Sequence, residues 1–164
     1  MKNKKLIFGC VALAGLVAVV IAMFVPYLKV VMKNDALGMT QSESYSLFNK
    51  DLLEAKGVAW LTISKIAVIA LAIALAVAGV LMLLSAFGKK TPKWAQLAGL
   101  VAGLVAVVAT IVVAGGMIGF GSANREVVES IGSMKLWGTV GFYLALVGGA
   151  AASVCAVLPY FKKK

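Results

Sequence analysis

The chain has 164 residues, of which 62% are hydrophobic and only 13% are charged, and its formal net charge is +10. A water-soluble domain of this size cannot bury so large an apolar fraction in one core, so the composition excludes an ordinary soluble globular protein. A lipid bilayer is the solvent that suits such a surface. The sequence therefore predicts a single membrane domain over 1–164.

Four apolar runs are each long enough to cross a hydrocarbon layer of about 30 Å, which requires roughly 20 helical residues. We expect spanning helices at about 6–25, 58–87, 94–120 and 136–161, with outer loops 26–57 and 121–135 and an inner loop 88–93. The short inner loop predicts that helices two and three are adjacent in an up-down four-helix bundle, with Pro92 in the first turn of the third helix.

The first apolar run follows a lysine-rich start, as the apolar core of a signal peptide does. Its length of about 20 residues exceeds the roughly 7 to 15 typical of a cleaved segment, and no small-residue cleavage site precedes Pro26. We expect this run to be the first helix, with Cys10 as a small buried residue.

The first outer loop carries the longest polar passage of the chain, and its pattern favours a β-hairpin. Residues 26–32 are rich in β-branched and aromatic types, Asn34 and Asp35 suit a turn, and the residues from 39 to 47 alternate. One side of the second strand is expected to be buried against helix two or against a short amphipathic helix at 47–56, and it comprises Met39, Gln41, Glu43, Tyr45 and Leu47. The other side is the candidate partner surface, and it comprises Thr40, Ser42, Ser44 and Ser46. A disordered polar linker is the alternative for this loop.

The distribution of lysines predicts the orientation. Nine lysines lie before the first helix, in the inner loop and at the end of the chain, whereas all six acidic residues lie in the two outer loops. Basic segments favour the cytoplasmic side of a membrane. We therefore expect a multi-pass protein of the plasma membrane with both termini in the cytoplasm. These lysines are expected to contact anionic lipid. They lack interleaved aromatic residues, so we expect no nucleic acid partner.

Small residues recur at close-packing intervals along the helices, and they allow backbones to approach one another. We expect these positions to pack within the bundle, with a face turned toward a partner helix as the alternative. The candidate packing glycines are Gly99, Gly103, Gly115, Gly119, Gly148 and Gly149.

Chemistry-bearing residues are sparse in the apolar runs. The chain contains no histidine, and no aspartate or glutamate lies in any predicted helix, so we expect no catalytic residue, no cofactor and no metal site. Cys10 and Cys155 are expected at matching depth on helices one and four, buried and unbridged. Lys65 is expected at the outer interface, because it lies 22 residues, or about 33 Å of helix, from Phe87.

The layout resembles the claudin arrangement. The likeness consists of four helices with both ends inside, a long first outer loop that opens with Pro26 and an aromatic and basic strand, and a short second outer loop. The claudin Trp-Cys-Cys signature is absent, since neither cysteine lies in that loop, so tight-junction function is not implied. The "SYSLF" element and the lysine-rich start also resemble small four-helix proteins of bacterial cytoplasmic membranes.

Three functions fit these patterns. The first is a membrane interaction protein, such as an accessory subunit, an adaptor or an immunity-type protein, that binds another membrane protein or an extracellular ligand. The second is an oligomeric pore or small-solute carrier, and the third is an enzyme or its subunit. The scarcity of polar groups in the apolar runs favours the first.

Overall fold

The computed structural model describes residues 2–34, 38–48, 58–87, 92–124 and 134–161. The first three helices are α1 Lys2–Phe24, α2 Val58–Ala86 and α3 Lys93–Ala123. The fourth, α4, covers 140–161 and is α-helical over Val140–Tyr143, π-helical over Leu144–Gly148 and α-helical again over Gly149–Phe161. Each of the four contains a stretch that is long and apolar enough to span a membrane, as the sequence predicts.

The helices are arranged in a ring in which every neighbour runs antiparallel. On α1 and α2, Gly9 faces Leu83 while Gly79 faces Leu13, so residue numbers rise on one helix as they fall on the other. The same holds where α2 meets α3, where α3 meets α4 and where α4 meets α1. The described helices therefore form an up-down four-helix bundle.

Pro92 lies immediately before α3 and acts as its N-cap, with φ −62° and ψ 155°. Its carbonyl accepts hydrogen bonds from the backbone N–H groups of Ala95 and Gln96 at 3.0 and 3.3 Å. The prediction that Pro92 belongs to the first turn is therefore wrong by one position. The physical reason for a proline at a helix start still applies, because an N–H at this point would have no partner inside the helix.

A three-stranded antiparallel sheet lies where α1 and α3 end and α2 and α4 begin; we call this the sheet end of the bundle. Its strands are β1 Pro26–Asn34, β2 Met39–Ser46 and β3 Met134–Gly138, in the order β2-β1-β3. The predicted hairpin is confirmed as β1 and β2. Gly38 before β2 has φ +61°, a left-handed conformation that glycine adopts without steric cost.

The third strand was not predicted. The sequence placed residues 121–135 in a loop and began the last helix at 136, whereas β3 occupies 134–138 and α4 begins at Val140. A five-residue strand next to an apolar run carries little local signal, because its hydrogen-bond partners on β1 lie more than 100 residues earlier.

The predicted buried side of β2 is only partly buried. Leu47 is buried and Tyr45 is partly buried, but Met39, Gln41 and Glu43 are exposed, and Met39 exposes 63% of its surface. The expectation for Met39 is therefore wrong. Burial is confined to the half of the sheet nearest the helices, whereas Met39 pairs with Asn34 at the opposite end of the hairpin. The short helix expected at 47–56 lies mostly outside the described residues.

The tightest helix contact joins α1 to α4 beside the π-helical turn. A Cβ atom added to Gly15 would lie 2.3 Å from the Cβ of Ala152 and 2.8 Å from the carbonyl oxygen of Gly148. Backbone and small side chains cannot move aside as a flexible side chain can. Close approach at this point therefore depends on glycine.

Replacing Gly15 with alanine should lower the free energy of unfolding by about 1–3 kcal/mol, because the added methyl group overpacks a rigid contact. The matched control is Gly115→Ala on α3, where an added Cβ meets no atom within 4 Å. That variant should be neutral or more stable by up to about 1 kcal/mol, since alanine favours helix. Unfolding in mixed micelles of mild detergent and dodecyl sulfate measures both, and equal stabilities for the two variants would contradict the α1–α4 contact.

Candidate functional site

One face of the sheet is attached to the bundle through apolar side chains. Leu28 and Val30 of β1 are buried against Leu61 of α2 and Phe120 of α3, and Tyr45 of β2 packs against the same cluster. Side chains alternate between the two faces of a strand. The face that carries Lys29 and Val31 is therefore directed away from the helices, and we call it the outward face.

The strand register shows which residues share the outward face. Lys29 lies between Ser44 of β2 and Trp137 of β3, and Val31 lies between Ser42 and Lys135. Lys33 pairs with Thr40 at the far end of β1. Among the residues whose side chains the structure describes, the outward face therefore comprises Lys29, Val31, Thr40, Ser42 and Ser44.

Three of the four predicted surface residues lie exposed on this face, namely Thr40, Ser42 and Ser44. Ser46 differs, because it is partly buried and pairs with Pro26 beyond an irregularity in the register between Pro26 and Leu28. The candidate partner surface is therefore a row of three hydroxyl residues beside the lysines of β1. Sequence reasoning missed the lysines, although the order Lys29, Val31, Lys33 is itself an alternating signal.

Lys29 is the one charged residue on the outward face whose side chain the structure describes. In the backbone register, Lys33 lies four residues after Lys29 on β1, and Lys135 of β3 pairs with Val31. Glu43, the one acidic residue in the part of the chain that the structure describes, lies on the opposite face of β2. Its carboxylate accepts a hydrogen bond from the hydroxyl of Tyr45.

The junction between sheet and bundle is held by backbone and hydroxyl contacts at the start of β1. Thr139, just before α4, donates its hydroxyl to the carbonyl of Pro26 and its backbone N–H to the carbonyl of Tyr27 at 3.0 Å. A Cβ on Gly141 would lie 2.7 Å from the Pro26 carbonyl oxygen, so α4 begins in direct contact with the start of β1. These contacts fix β1 relative to α4.

Tyr27 is buried at this junction, with its ring edge-on to Phe142 at a centroid distance of 5.6 Å. Its hydroxyl neighbours that of Ser64 on α2, but the two do not meet hydrogen-bond geometry, and neither has a partner among the described residues. Burial raises the pKa of Tyr27 above its ordinary value, and the Ser64 hydroxyl opposes part of that rise. Both hydroxyls are therefore desolvated, and their proximity to each other offsets only part of that cost.

Thr110 and Ser153 are two buried polar residues inside the bundle that lie beside each other. The Thr110 hydroxyl donates to the carbonyl of Ala106 at 2.9 Å and lies 3.4 Å from the hydroxyl of Ser153 on α4. The part of the chain that the structure describes holds no group of three or more His, Cys, Asp or Glu side chains that could bind a metal ion. This interior pair cross-links α3 and α4.

The candidate packing glycines differ in their surroundings. Gly103 faces Val157, Gly119 lies under the indole ring of Trp60, Gly148 faces Ala18 and Gly149 faces Leu71. Gly99 is buried, whereas Gly115 is exposed and faces open space. Gly115 therefore makes no close contact with another helix among the residues that the structure describes. Sequence reasoning missed Gly15, Gly116 and Gly141, which approach other elements as closely. Gly15 and Gly116 have no small residue four positions away, whereas Gly141 lies four residues before Ala145 and extends the spaced pair Ala145 and Gly149.

Both cysteines are free, as predicted, and lie on α1 and α4. The expectation that they are buried is wrong for Cys10, which is exposed, and Cys155 is only partly buried. The α1–α4 contact lies at Gly15 and Ala152, and the chains run antiparallel, so the two thiols lie within about one helical turn of the same depth. Lys65 is partly buried on α2, one turn beyond the Leu61 contact with the sheet.

An apolar groove of about 490 Å³ runs between α2 and α3. Its lining is aliphatic and includes Ile63, Ile66, Leu104 and Val108, all of which are exposed. The groove faces away from the bundle and offers no polar group to orient a ligand.

No protein-family model matches the chain, and no curated protein sequence matches it. The resemblance to the claudin arrangement therefore stays a prediction from the order of the elements.

Tyr27→Phe should be equally stable or up to about 2 kcal/mol more stable than the wild type at pH 8, because it removes a buried hydroxyl without a partner. Above pH 10 the unfolded wild type loses the Tyr27 proton while the folded state keeps it, so the stability present below pH 10 is lost as pH rises. The advantage of the variant should therefore grow by about 1.4 kcal/mol per pH unit.

The matched control is Tyr143→Phe, at an exposed position of α4. Denaturant unfolding in detergent between pH 8 and 11.5 gives the free energy for all three proteins. The control should follow the wild type. A Tyr27→Phe curve parallel to that of the wild type would show that the phenol is solvated.

Proposed function

We propose that this protein is a multi-pass membrane interaction protein of the accessory, adaptor or immunity type, and that the outward face of the sheet recognises its partner. The observation that carries this proposal is the difference between the two faces of the sheet. Leu28 and Val30 attach one face to the bundle, while Thr40, Ser42 and Ser44 are exposed on the other. Polar residues displayed on a scaffold of fixed elements are typical of binding surfaces.

The proposed orientation places the sheet end outside the cytoplasmic membrane and both termini inside. It rests on the nine lysines in the terminal segments and the 88–93 connection, against six acidic residues that all lie between α1 and α2 or between α3 and α4 in the sequence. The partner is then a second membrane protein or an extracellular ligand, and anionic lipid contacts the cytoplasmic lysines. We propose no enzymatic activity and no cofactor.

The exposed surface of the helices, apart from the sheet, provides a second contact area in this proposal. Gly115 is exposed and lies within a row of exposed residues on α3 that includes Val108, Ile111 and Ile118. A glycine on such a surface lets the backbone of a partner helix approach closely. A partner membrane protein would therefore be held by helix contacts and identified by the sheet.

The alternative is an oligomeric pore or small-solute carrier. Polar side chains buried in the described helices are few and separated, namely Ser64, Thr110 and Ser153 within the bundle and Asn124 at the end of α3. A conducting path needs a continuous polar lining, so several copies would have to build it between them. This supports the interaction protein over the pore.

Site-directed cross-linking tests the proposed recognition surface. A single cysteine at Ser42, in a chain with Cys10→Ala and Cys155→Ala, is coupled to a photoreactive maleimide in native membranes. The matched control is a single cysteine at Glu43, which is also exposed but lies on the opposite face of β2. We expect a heteromeric product at position 42 in severalfold higher yield than at 43, identified by mass spectrometry. A product made only of this chain would favour the pore, and equal yields would contradict a face-specific surface.

Cysteine labelling tests the orientation. With an impermeant maleimide on intact cells, a single cysteine at Ser44 should be labelled and one at Lys93, at the opposite end of the bundle, should be labelled only after permeabilisation. Both positions are exposed, so accessibility within the protein does not decide the result. The reverse pattern would invert the topology.

A further inference from the structure

We propose that the π-helical turn of α4 is a conformational joint, at which the first turn of the helix releases the start of β1 as the backbone changes from π- to α-helical. The turn covers Leu144–Gly148, between the α-helical parts Val140–Tyr143 and Gly149–Phe161. This inference concerns movement within the chain, so it goes beyond the proposed function and needs no partner. π-Helical turns are rare, occur mostly as single turns inside α-helices and are frequent at functional sites.

Contacts anchor α4 on both sides of this turn. On the side of the sheet, Thr139 donates two hydrogen bonds to the start of β1, and the ring of Phe142 packs edge-on against Tyr27. On the side of the bundle, Ser153 lies beside Thr110 of α3. The π turn therefore sets the angle between the part of α4 that contacts the sheet and the part that packs within the bundle.

A change from π- to α-helix would rotate one anchor relative to the other. An α-helix turns by about 100° per residue, and a π turn holds about one residue more than an α turn. The same five residues in α-helical form would therefore turn Val140–Tyr143 by about 100° relative to the rest of the helix. Such a rotation would carry Gly141 away from the carbonyl oxygen of Pro26, which it contacts in the structure.

The side chains near the π turn suit either geometry. Residues 148–153 read Gly-Gly-Ala-Ala-Ala-Ser, so no large side chain in this stretch fixes the rotation of the helix. Positions i, i+4, i+7 and i+11 share one face of a regular α-helix. In α4 these positions are Gly141, Ala145, Gly148 and Ala152. The α-helical form would therefore also present a face of small residues that can pack closely.

Two local costs oppose the docked form that the structure shows. The hydroxyls of Tyr27 and Ser64 are buried at the junction without a hydrogen-bond partner among the described residues, and their proximity offsets only part of the desolvation. The π turn is the second cost. Release of the first turn of α4 removes Phe142 from Tyr27 and relieves both. We therefore expect the junction to open locally at a lower free energy than the interior of the bundle.

The sheet stays attached in the released form. The apolar cluster of Leu28, Val30, Leu61 and Phe120 contains no residue of α4 among those that the structure describes. This cluster holds β1 against α2 and α3. Release at the joint therefore frees the corner formed by β3 and the start of α4 while β1 keeps its place.

Amide hydrogen exchange, measured by NMR on the full chain in detergent micelles, tests the joint. The reporter is the amide of Thr139, which donates to the carbonyl of Tyr27, and the reference is the amide of Val113, a buried residue of α3. Gly141→Ala places a Cβ 2.7 Å from the Pro26 carbonyl oxygen. It should speed exchange at Thr139 about tenfold and leave Val113 unchanged, because only the junction opens. Equal acceleration at both amides, or none at Thr139, would overturn the joint.

Deletion of Val147 tests the role of the π turn. Val147 is exposed, and its removal leaves four of the five residues of the turn, which a regular α-helix accommodates with both anchors in place. The docked form then needs no π turn, so exchange at Thr139 should slow at least tenfold. The matched control is Val147→Ala, which keeps the chain length and should exchange as the wild type does. Unchanged or faster exchange at Thr139, with Val113 still protected, would overturn the assignment to the π turn.

Tyr27→Phe tests the other cost at constant chain length, and it decides the outcome if the deletion variant does not fold. The variant removes one desolvated hydroxyl from the docked form, so exchange at Thr139 should slow about fivefold or more. Tyr143→Phe, at an exposed position, should leave exchange at Thr139 unchanged. Unchanged or faster exchange at Thr139 in Tyr27→Phe would overturn the proposal that the buried hydroxyls favour release.

Discussion

The alternation of side chains along β1 is the constraint on which the sheet end of the molecule depends. β1 begins two residues after α1 ends, and it is the central strand of the sheet. Leu28 and Val30 are buried against α2 and α3, so Lys29 and Val31 must face the opposite way. A slip of one residue would place the lysines against Leu61 and Phe120. The contacts that attach the sheet therefore also decide which surface it presents.

The register is held from both sides of the start of β1. Thr139 donates two hydrogen bonds to the carbonyls of Pro26 and Tyr27, and Gly141 allows α4 to begin in contact with the same turn. The irregularity between Pro26 and Leu28 lets Tyr27 and Leu28 both be buried, which strict alternation forbids. Tyr27 then packs on Phe142 of α4. β3 ends at Gly138, next to Thr139. The contacts that hold the start of α4 against β1 therefore also place β3 beside β1.

Local sequence patterns predicted the elements whose signal lies in one stretch of chain. Length and hydropathy gave the four helices, and turn residues with alternation gave the hairpin of β1 and β2. Three features depend on contacts between distant residues and were not visible in this way. β3 pairs with a strand far away in sequence, Cys10 is exposed because of how α1 is rotated in the bundle, and Met39 lies beyond the edge of the apolar cluster. The predicted hydroxyl row was local, but its lysine neighbours follow from the strand order.

Some polar groups of the chain take part in helix packing and others are exposed, and this difference relates the packing to the proposed function. In the bilayer that we propose, burial of apolar surface contributes little to helix association, and close contact between backbones takes its place. Gly15 and Gly119 provide such contacts, and the hydroxyl of Thr110 donates to its own helix and neighbours Ser153. These interior groups are therefore engaged in holding the helices together. Thr40, Ser42 and Ser44 of β2 are exposed and lie outside these helix contacts, so in the function that we propose they are the polar groups left to bind a partner.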